Sequence, residues 1–246
     1  MSFLFKELDY RETPIGPLSL RRRRILALDT DVYEILLGDE HLMSSLFTAS
    51  EVALADLGLA ALNAGRGVDK AAPGSLDVVV GGLGLGYTAE AALKHDAVGT
   101  LTVVELLDPV VDWHIEGLLP MGTRLADDTR CTFLRADFFA CAGSTEGFDA
   151  DSPGRLHDAI LIDIDHSPDW LLNQGSSGFY TEAGLAALAG KLKPGGVMGL
   201  WSDALEDAGF TERLGKVFSD AWAEPVTFHN PLQDKPFTQT VYLARR

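Results

Sequence analysis

Leu76 to Leu93 reads LDVVVGGLGLGYTAEAAL, an apolar run that passes into Gly82, Gly84 and Gly86 and then into a helix-forming segment. Glycine has no Cβ, so the chain can turn tightly there and its backbone can approach a ligand closely. The order strand, glycine turn, helix is the opening of a wound parallel sheet. About twenty residues on, Glu105 ends the next apolar run, where a carboxylate accepts both hydroxyls of a ribose. Tight strand-to-helix turns also use glycine for packing alone. It is the pairing of the glycines with the acid that points to a nucleoside.

Outward from this unit the pattern alternates. Strands are expected at Leu76 to Val80, Leu101 to Val104, Thr132 to Leu134, Ala159 to Ile162 and Val197 to Trp201. Helices are expected over Thr88 to Lys94, Pro109 to Leu119, Thr181 to Leu192 and Asp203 to Ser219, with Asp108 as a cap before a first-turn proline and Lys193 to Gly196 as a helix exit. Such alternation predicts an α/β, Rossmann-like sheet of the methyltransferase type with right-handed crossovers. Val226 to Phe228 and Thr240 to Ala244 flank a turn-rich stretch and read as a terminal antiparallel hairpin. Residues 142 to 157 read as an exposed loop. Residues 1–48 differ: Leu18 to Leu20, Ile25 to Leu28 and Val32 to Leu37 are short strand-like runs between turn signals, which predicts a small antiparallel sheet. Ala49 to Asn63 fits an amphipathic helix capped by Ser50 and stopped at Gly65 and Gly67. The expected division is therefore a β-sheet region over 1–48 and a ligand-binding domain over 49–246.

Composition narrows the function. The 246 residues are 46% hydrophobic and 23% charged, which excludes a disordered or fibrous chain. Twenty basic against 36 acidic side chains give a formal charge of -16, a field that repels nucleic acid and anionic lipid and attracts cations. The one concentrated basic stretch, Arg21 to Arg24, reads as a solvated strand or an intersubunit contact. Cys131 and Cys141 are too far apart for a C-x-x-C unit, no histidine cluster accompanies them, and no metal site is expected. Both read as buried thiols in a reducing cytoplasm. No stretch reads as a membrane span.

The acids decide what kind of nucleoside is expected. Asp137 follows the third strand in FLRADFF, and Asp163 and Asp165 follow the fourth in AILIDIDHSP, so carboxylates line the sheet edge where ligands of open α/β folds bind. A nicotinamide dinucleotide would need its pyrophosphate over the helix N-terminus. An adenosyl sulfonium carries no phosphate and suits an acid-lined crevice.

VVVGGLGLG, VVELLDPVV, ADFF, AILIDIDHSP, SSGFYTEAGLAALAGKLKPGGV and VYLAR together resemble the spermidine synthase-like branch of the Rossmann-type methyltransferase superfamily. The resemblance spans most of the chain. It implies that Gly82, Gly84, Gly86 and Glu105 hold the methylthioadenosine half of the donor and that Asp137 faces the adenine amino group. It further implies Asp163 as general base, a gate over Ser167 to Tyr180, and a cytoplasmic homodimer. The chain departs from the pattern where the acceptor amine binds. His166 stands where polyamine synthases carry an aspartate, GDEHLMSSLFTASE lacks the glutamine and tyrosine before the gatekeeping helix, and Trp201-Ser202-Asp203 replaces a glutamine-glycine-glutamate type of segment.

The implied chemistry is displacement at a carbon attached to a sulfur cation, which leaves as a neutral thioether. No acid is needed for the leaving group; a base must strip the incoming nucleophile. Asp163 is the first candidate, with Asp165 and His166 as alternatives. Trp170 and Tyr180 are candidates for the substrate side, Trp113 is a weaker one, and His41, Met43 and Ser44 lie where the N-terminal unit would meet the crevice. His114 reads as an exposed helix residue. Three functions stay open: transfer of an aminopropyl group from decarboxylated S-adenosylmethionine to a small amine, methyl transfer from S-adenosylmethionine to another small acceptor, and a catalytically silent nucleoside-binding relative.

Overall fold

The computed structural model describes residues 4–65, 71–164, 166–172 and 174–246. The chain opens with a four-stranded antiparallel meander: β1 (Phe5–Thr13), β2 (Gly16–Ile25), β3 (Thr30–Leu37) and β4 (Glu40–Ser44). Ile25 to Leu28 is not a separate strand. β2 runs straight through the arginines, because Arg23 pairs across the sheet with Glu34 and Arg24 with Asp31, while Arg21 lies 5.8 Å from the Phe5 ring centre. Leu26–Leu28 is instead a 3-10 turn ending on Asp29 at φ 48°. The basic run is thus part of a strand, with Arg23 and Arg24 paired to acids on or before the next strand.

Helix α1 (Ala49–Gly65) carries the chain to a seven-stranded sheet. Ser50 does not cap it. The residue lies inside the first turn, its hydroxyl turned to Glu51 and Gln239. There follow β5 (Leu76–Gly81), α2 (Tyr87–Leu93), β6 (Val98–Glu105), α3 (Asp108–Ile115), α4 (Arg124–Asp127), β7 (Cys131–Arg135), α5 (Phe138–Gly143), β8 (His157–Ile162), α6 (Glu182–Ala189), β9 (Leu192–Ser202), α7 (Ala208–Val217), β10 (Asp220–Asn230) and β11 (Lys235–Arg245). The sheet order is β10-β11-β9-β8-β5-β6-β7. The five strands β7, β6, β5, β8 and β9 are parallel, and the terminal hairpin adds antiparallel to β9 at one edge.

Three helices are shorter than the sequence pattern implies. Asp207 accepts the Gly209 N–H, so α7 starts there, whereas α6 is capped by Thr181 as its start implied and ends at Ala189 because β9 already begins at Leu192. Asp108 falls within the first turn of α3 and pairs with Arg135, so it is not the cap. Lys193 to Gly196 lies inside β9, where the register against β8 slips between His157 and Ala159 and Gly195 takes φ 75°.

The two sheets share one core. Leu18, Leu20 and Ile35 of the meander pack with Leu54 and Leu59 of α1 and with Val78 and Val80 of β5, all essentially out of solvent. Fully burying such a side chain is worth about 1.5–3 kcal/mol, enough for these contacts to set how the meander sits over the sheet. Trp113 adds a polar tie, its indole N–H donating to Asp9 Oδ2 at 2.7 Å across from α3 to β1. Among the described residues no helix is long and apolar enough to cross a membrane.

Candidate functional site

The carboxyl ends of β5, β6, β7 and β8 open into two adjoining cavities. One is about 150 Å³ and is walled by Gly82, Gly84, Glu105, Asp137, Asp163, Glu51 and Trp201, with Ile35, Leu42 and Met43 coming from the meander. The second is about 510 Å³. It shares Glu105 and Asp137 with the first and continues along Phe139, Ile164, Leu172 and Phe179. Together they fall in the range of roughly 300–1,000 Å³ typical of small-molecule sites.

The glycine turn is forced by close neighbours. Gly82, Gly84 and Gly86 sit at φ 89°, 46° and 91°. A Cβ on Gly82 would lie 2.1 Å from the backbone oxygen of Asp163, so the turn presses directly on the end of β8. A Cβ on Gly84 would meet Met43 Sδ at 2.7 Å, and that sulfur also accepts the Leu85 N–H at 3.1 Å. Gly86 backs onto His114, which is fully buried and not an exposed helix residue. His114 Nε2 lies 2.9 Å from the Gly84 carbonyl, which requires the tautomer that donates there. Burial pushes its pKa down to about 4, so it works as a neutral brace under the turn.

Glu105 is buried and accepts the N–H groups of Leu83 at 2.9 Å and Leu107 at 2.8 Å. Burial raises its pKa while these backbone bonds pull the other way. An ionised carboxylate offers about four lone-pair sites, so ribose hydroxyls can still be received. Asp137 uses Oδ1 to cap α5 through Phe139 N and Ala140 N, and the residue borders both cavities.

At the other end stands Asp163. Its Oδ2 accepts the Thr88 hydroxyl at 2.6 Å, its own N–H is held by the Gly81 carbonyl, and burial pushes its pKa up to about 6. Glu51, which the sequence reading did not single out, lines the same cavity, and burial followed by the Asp163 charge pushes it up to about 8. The sequence held no local signal for it, since Ser50-Glu51 looks like any helix start.

Other expected site residues lie apart from this cleft. His166 stacks on Trp170 with ring centres 5.0 Å apart, Ser167 and Trp170 close on each other through backbone bonds, and Trp170 is 61% exposed; neither His166 nor Trp170 borders either cavity. Tyr180 is buried among Phe139, Phe179 and Phe210, and Trp113 is core. Of the meander residues, Met43 reaches the cavity, whereas His41 faces Glu34 at 3.6 Å and Ser44 accepts the Leu46 N–H. Asp165 lies outside the described residues.

No family model matches the sequence, and no curated protein does. Solved structures do. A spermidine synthase in complex with the transition state analogue AdoDATO shares 18% identity at a TM-score of 0.69, over 98% of this chain and 72% of that one. Spermidine synthase from Thermotoga maritima gives 17% and 0.68 over the same shares. A probable spermidine synthase from Corynebacterium glutamicum gives 16% and 0.62, over 96% and 79%. The chain therefore has the fold of the spermidine synthases, a Rossmann-like sheet of the methyltransferase type carrying a small N-terminal β-sheet.

Proposed function

We propose that the chain is a transferase that takes an alkyl group, by preference aminopropyl, from an adenosyl sulfonium to a small amine. The observation that carries this reading is the charge of the cavity walls. Glu51, Glu105, Asp137 and Asp163 line them, and among the described residues no lysine or arginine does. An intact S-adenosylmethionine brings a carboxylate that wants a cationic partner, whereas its decarboxylated form presents only positive groups. The Leu85 N–H of the glycine turn is already taken by Met43 Sδ, which removes one backbone partner for such a carboxylate. The shared fold with a spermidine synthase that binds AdoDATO supports the same reading.

In this reading Glu105 receives the ribose, Asp137 borders the base, and the transferable carbon points toward Asp163. The carbon–sulfur bond breaks with its electron pair going to sulfur, a carbon–nitrogen bond forms, and one proton must leave the amine. Asp163 takes that proton, Thr88 fixes which carboxyl oxygen faces inward, and the meander residues Ile35, Leu42 and Met43 keep water out.

Calorimetry with four ligands tests the donor. Decarboxylated S-adenosylmethionine and methylthioadenosine should bind more tightly than S-adenosylmethionine and S-adenosylhomocysteine; the reverse order would make the chain a methyltransferase. A mass-spectrometric screen of amines with both donors then reads the transferred group, and no product with any acceptor would leave a nucleoside-binding protein without catalysis.

A further inference from the structure

Where α1, β9 and β11 meet beside the cleft, five polar side chains form a connected hydrogen-bond set. Trp201 Nε1 donates to Ser50 Oγ at 2.8 Å. Ser50 Oγ lies 2.6 Å from Gln239 Oε1 and 2.8 Å from Glu51 Oε2. Gln239 Nε2 donates to Asp203 Oδ1 at 2.5 Å.

The protons in this set can be counted. An indole N–H is a donor only, and a hydroxyl has one proton to give. Gln239 must turn its amide nitrogen to Asp203, because its carbonyl oxygen there would face a carboxylate. Its carbonyl therefore faces Ser50, and the single Ser50 proton goes to it. Nothing remains on Ser50 for Glu51, so the 2.8 Å contact closes only if Glu51 brings the proton itself. The alternative, an amide flip with the proton on Asp203, places it on a partly exposed carboxyl and leaves buried Glu51 ionised; burial disfavours that arrangement. The charged and titratable groups turned toward Glu51 are Asp163 from the end of β8, Asp203 from the end of β9 and Tyr87 from α2. None of these is a cation.

We propose that Glu51 is a second acid of the cleft, protonated through its contact with Ser50, and that it releases this proton to solvent when a doubly cationic ligand settles beside Asp163. Glu51 and Asp163 line the same cavity, so their joint charge moves from one negative to two as the cation count demands. A sulfonium with a free ammonium brings two positive charges and draws the proton off. A neutral thioether brings none and leaves it in place. The release half rests on the donor reading above; the protonation half rests on the hydrogen-bond count alone.

Infrared spectra of the protein without ligand test the first half. The wild-type-minus-Glu51→Gln difference spectrum should carry a protonated-carboxyl C=O band that disappears as pH is raised from 7 to 10, above the value of about 6 to which Asp163 is raised. That variant keeps a donor toward Ser50 and is expected to fold. A wild-type spectrum without the band, or a band unchanged in Glu51→Gln, overturns the proposal whether or not any adenosyl compound binds. Calorimetry at pH 7 in two buffers of different ionisation enthalpy tests the second half. Decarboxylated S-adenosylmethionine should release close to one proton from wild type and close to none from Glu51→Gln, while methylthioadenosine releases none from either. Binding with equal release in both proteins would overturn the release while leaving the donor reading intact; failure of both ligands to bind would sink the donor reading, with the infrared result still deciding the proton.

Discussion

The two ends of the cleft are held by different kinds of bond. At the end walled by the glycine turn the carboxylates of Glu105 and Asp137 accept backbone N–H groups, those of Leu107, Phe139 and Ala140 from two or three positions on and that of Leu83 from the neighbouring strand's end, and three glycines keep left-handed conformations. At the acid end Glu51, Ser50, Trp201 and Gln239 are knit by side chain to side chain, across as many as 189 positions of sequence, and the Asp163 carboxylate is held by the Thr88 hydroxyl. Backbone-anchored carboxylates are fixed in position and can wait for a ligand without rearranging. A side-chain network with protons to share can change its charge. One end is built to hold and the other to respond.

The largest way to break this contrast is Gly82→Ala. The new methyl would collide with backbone at Asp163, which no side-chain motion relieves, and its φ of 89° is strained for alanine. A loss of more than about 4 kcal/mol, or failure to fold, is expected in denaturant titration. Because Gly82 touches both ends, binding and turnover should disappear together.

Asp163→Asn separates the ends. Turnover should fall by about 10²–10⁴-fold, while methylthioadenosine affinity, measured by calorimetry, changes by less than a few-fold. Equal losses in both would mean that Asp163 holds the donor and is not the base. Wild-type turnover should rise with pH through about 6 as Asp163 ionises. Stability should move the other way. Asp163 and Glu51 have folded pKa values raised above their ordinary ones, to about 6 and about 8, so the folded state binds more protons than the unfolded one. Their contribution is fully present below the ordinary carboxylate range and is lost as pH rises through that window. The pair titrates together, so the loss is one broad step.

Glu105→Gln tests the other end alone. An amide offers one acceptor oxygen where the carboxylate has two, so the N–H of Leu83 or of Leu107 is left buried and unpaired. The cost is about 1–3 kcal/mol in stability, with methylthioadenosine affinity falling about 10-fold or more.

The same contrast explains what the sequence could and could not convey. Gly82 to Gly86, Glu105, Asp137 and Asp163 lie at strand ends, and their places follow from local pattern plus the wound topology. Glu51 was out of reach because its partners, Asp163, Trp201 and Gln239, come together only when α1 packs against β8, β9 and β11. Trp170 and Tyr180 were misplaced for a related reason: aromatic residues near a site loop look alike in a sequence, whether they face a ligand, fill a core as Tyr180 does, or stand in solvent as Trp170 does. Arg21 to Arg24 hid a continuous strand, since the acids that pair with Arg23 and Arg24 lie on the next strand over.

Trp201→Phe is the mildest change and the sharpest on the comparison. It keeps the ring against the cavity and removes only the N–H that points at Ser50. One neutral hydrogen bond is lost, a cost of about 1 kcal/mol, read from denaturant midpoints at pH 6. Ser50 Oγ then has Glu51 as its only proton donor, and the hydroxyl still gives its own proton to Gln239. The bond from protonated Glu51 therefore gains in importance, and the fall in stability between pH 6 and pH 9 should steepen relative to wild type. Affinity for methylthioadenosine should stay where it was, because no backbone bond at Glu105 or Asp137 depends on that indole. If the affinity drops along with the stability, the two ends are mechanically one, and the division between a fixed half and a responsive half fails.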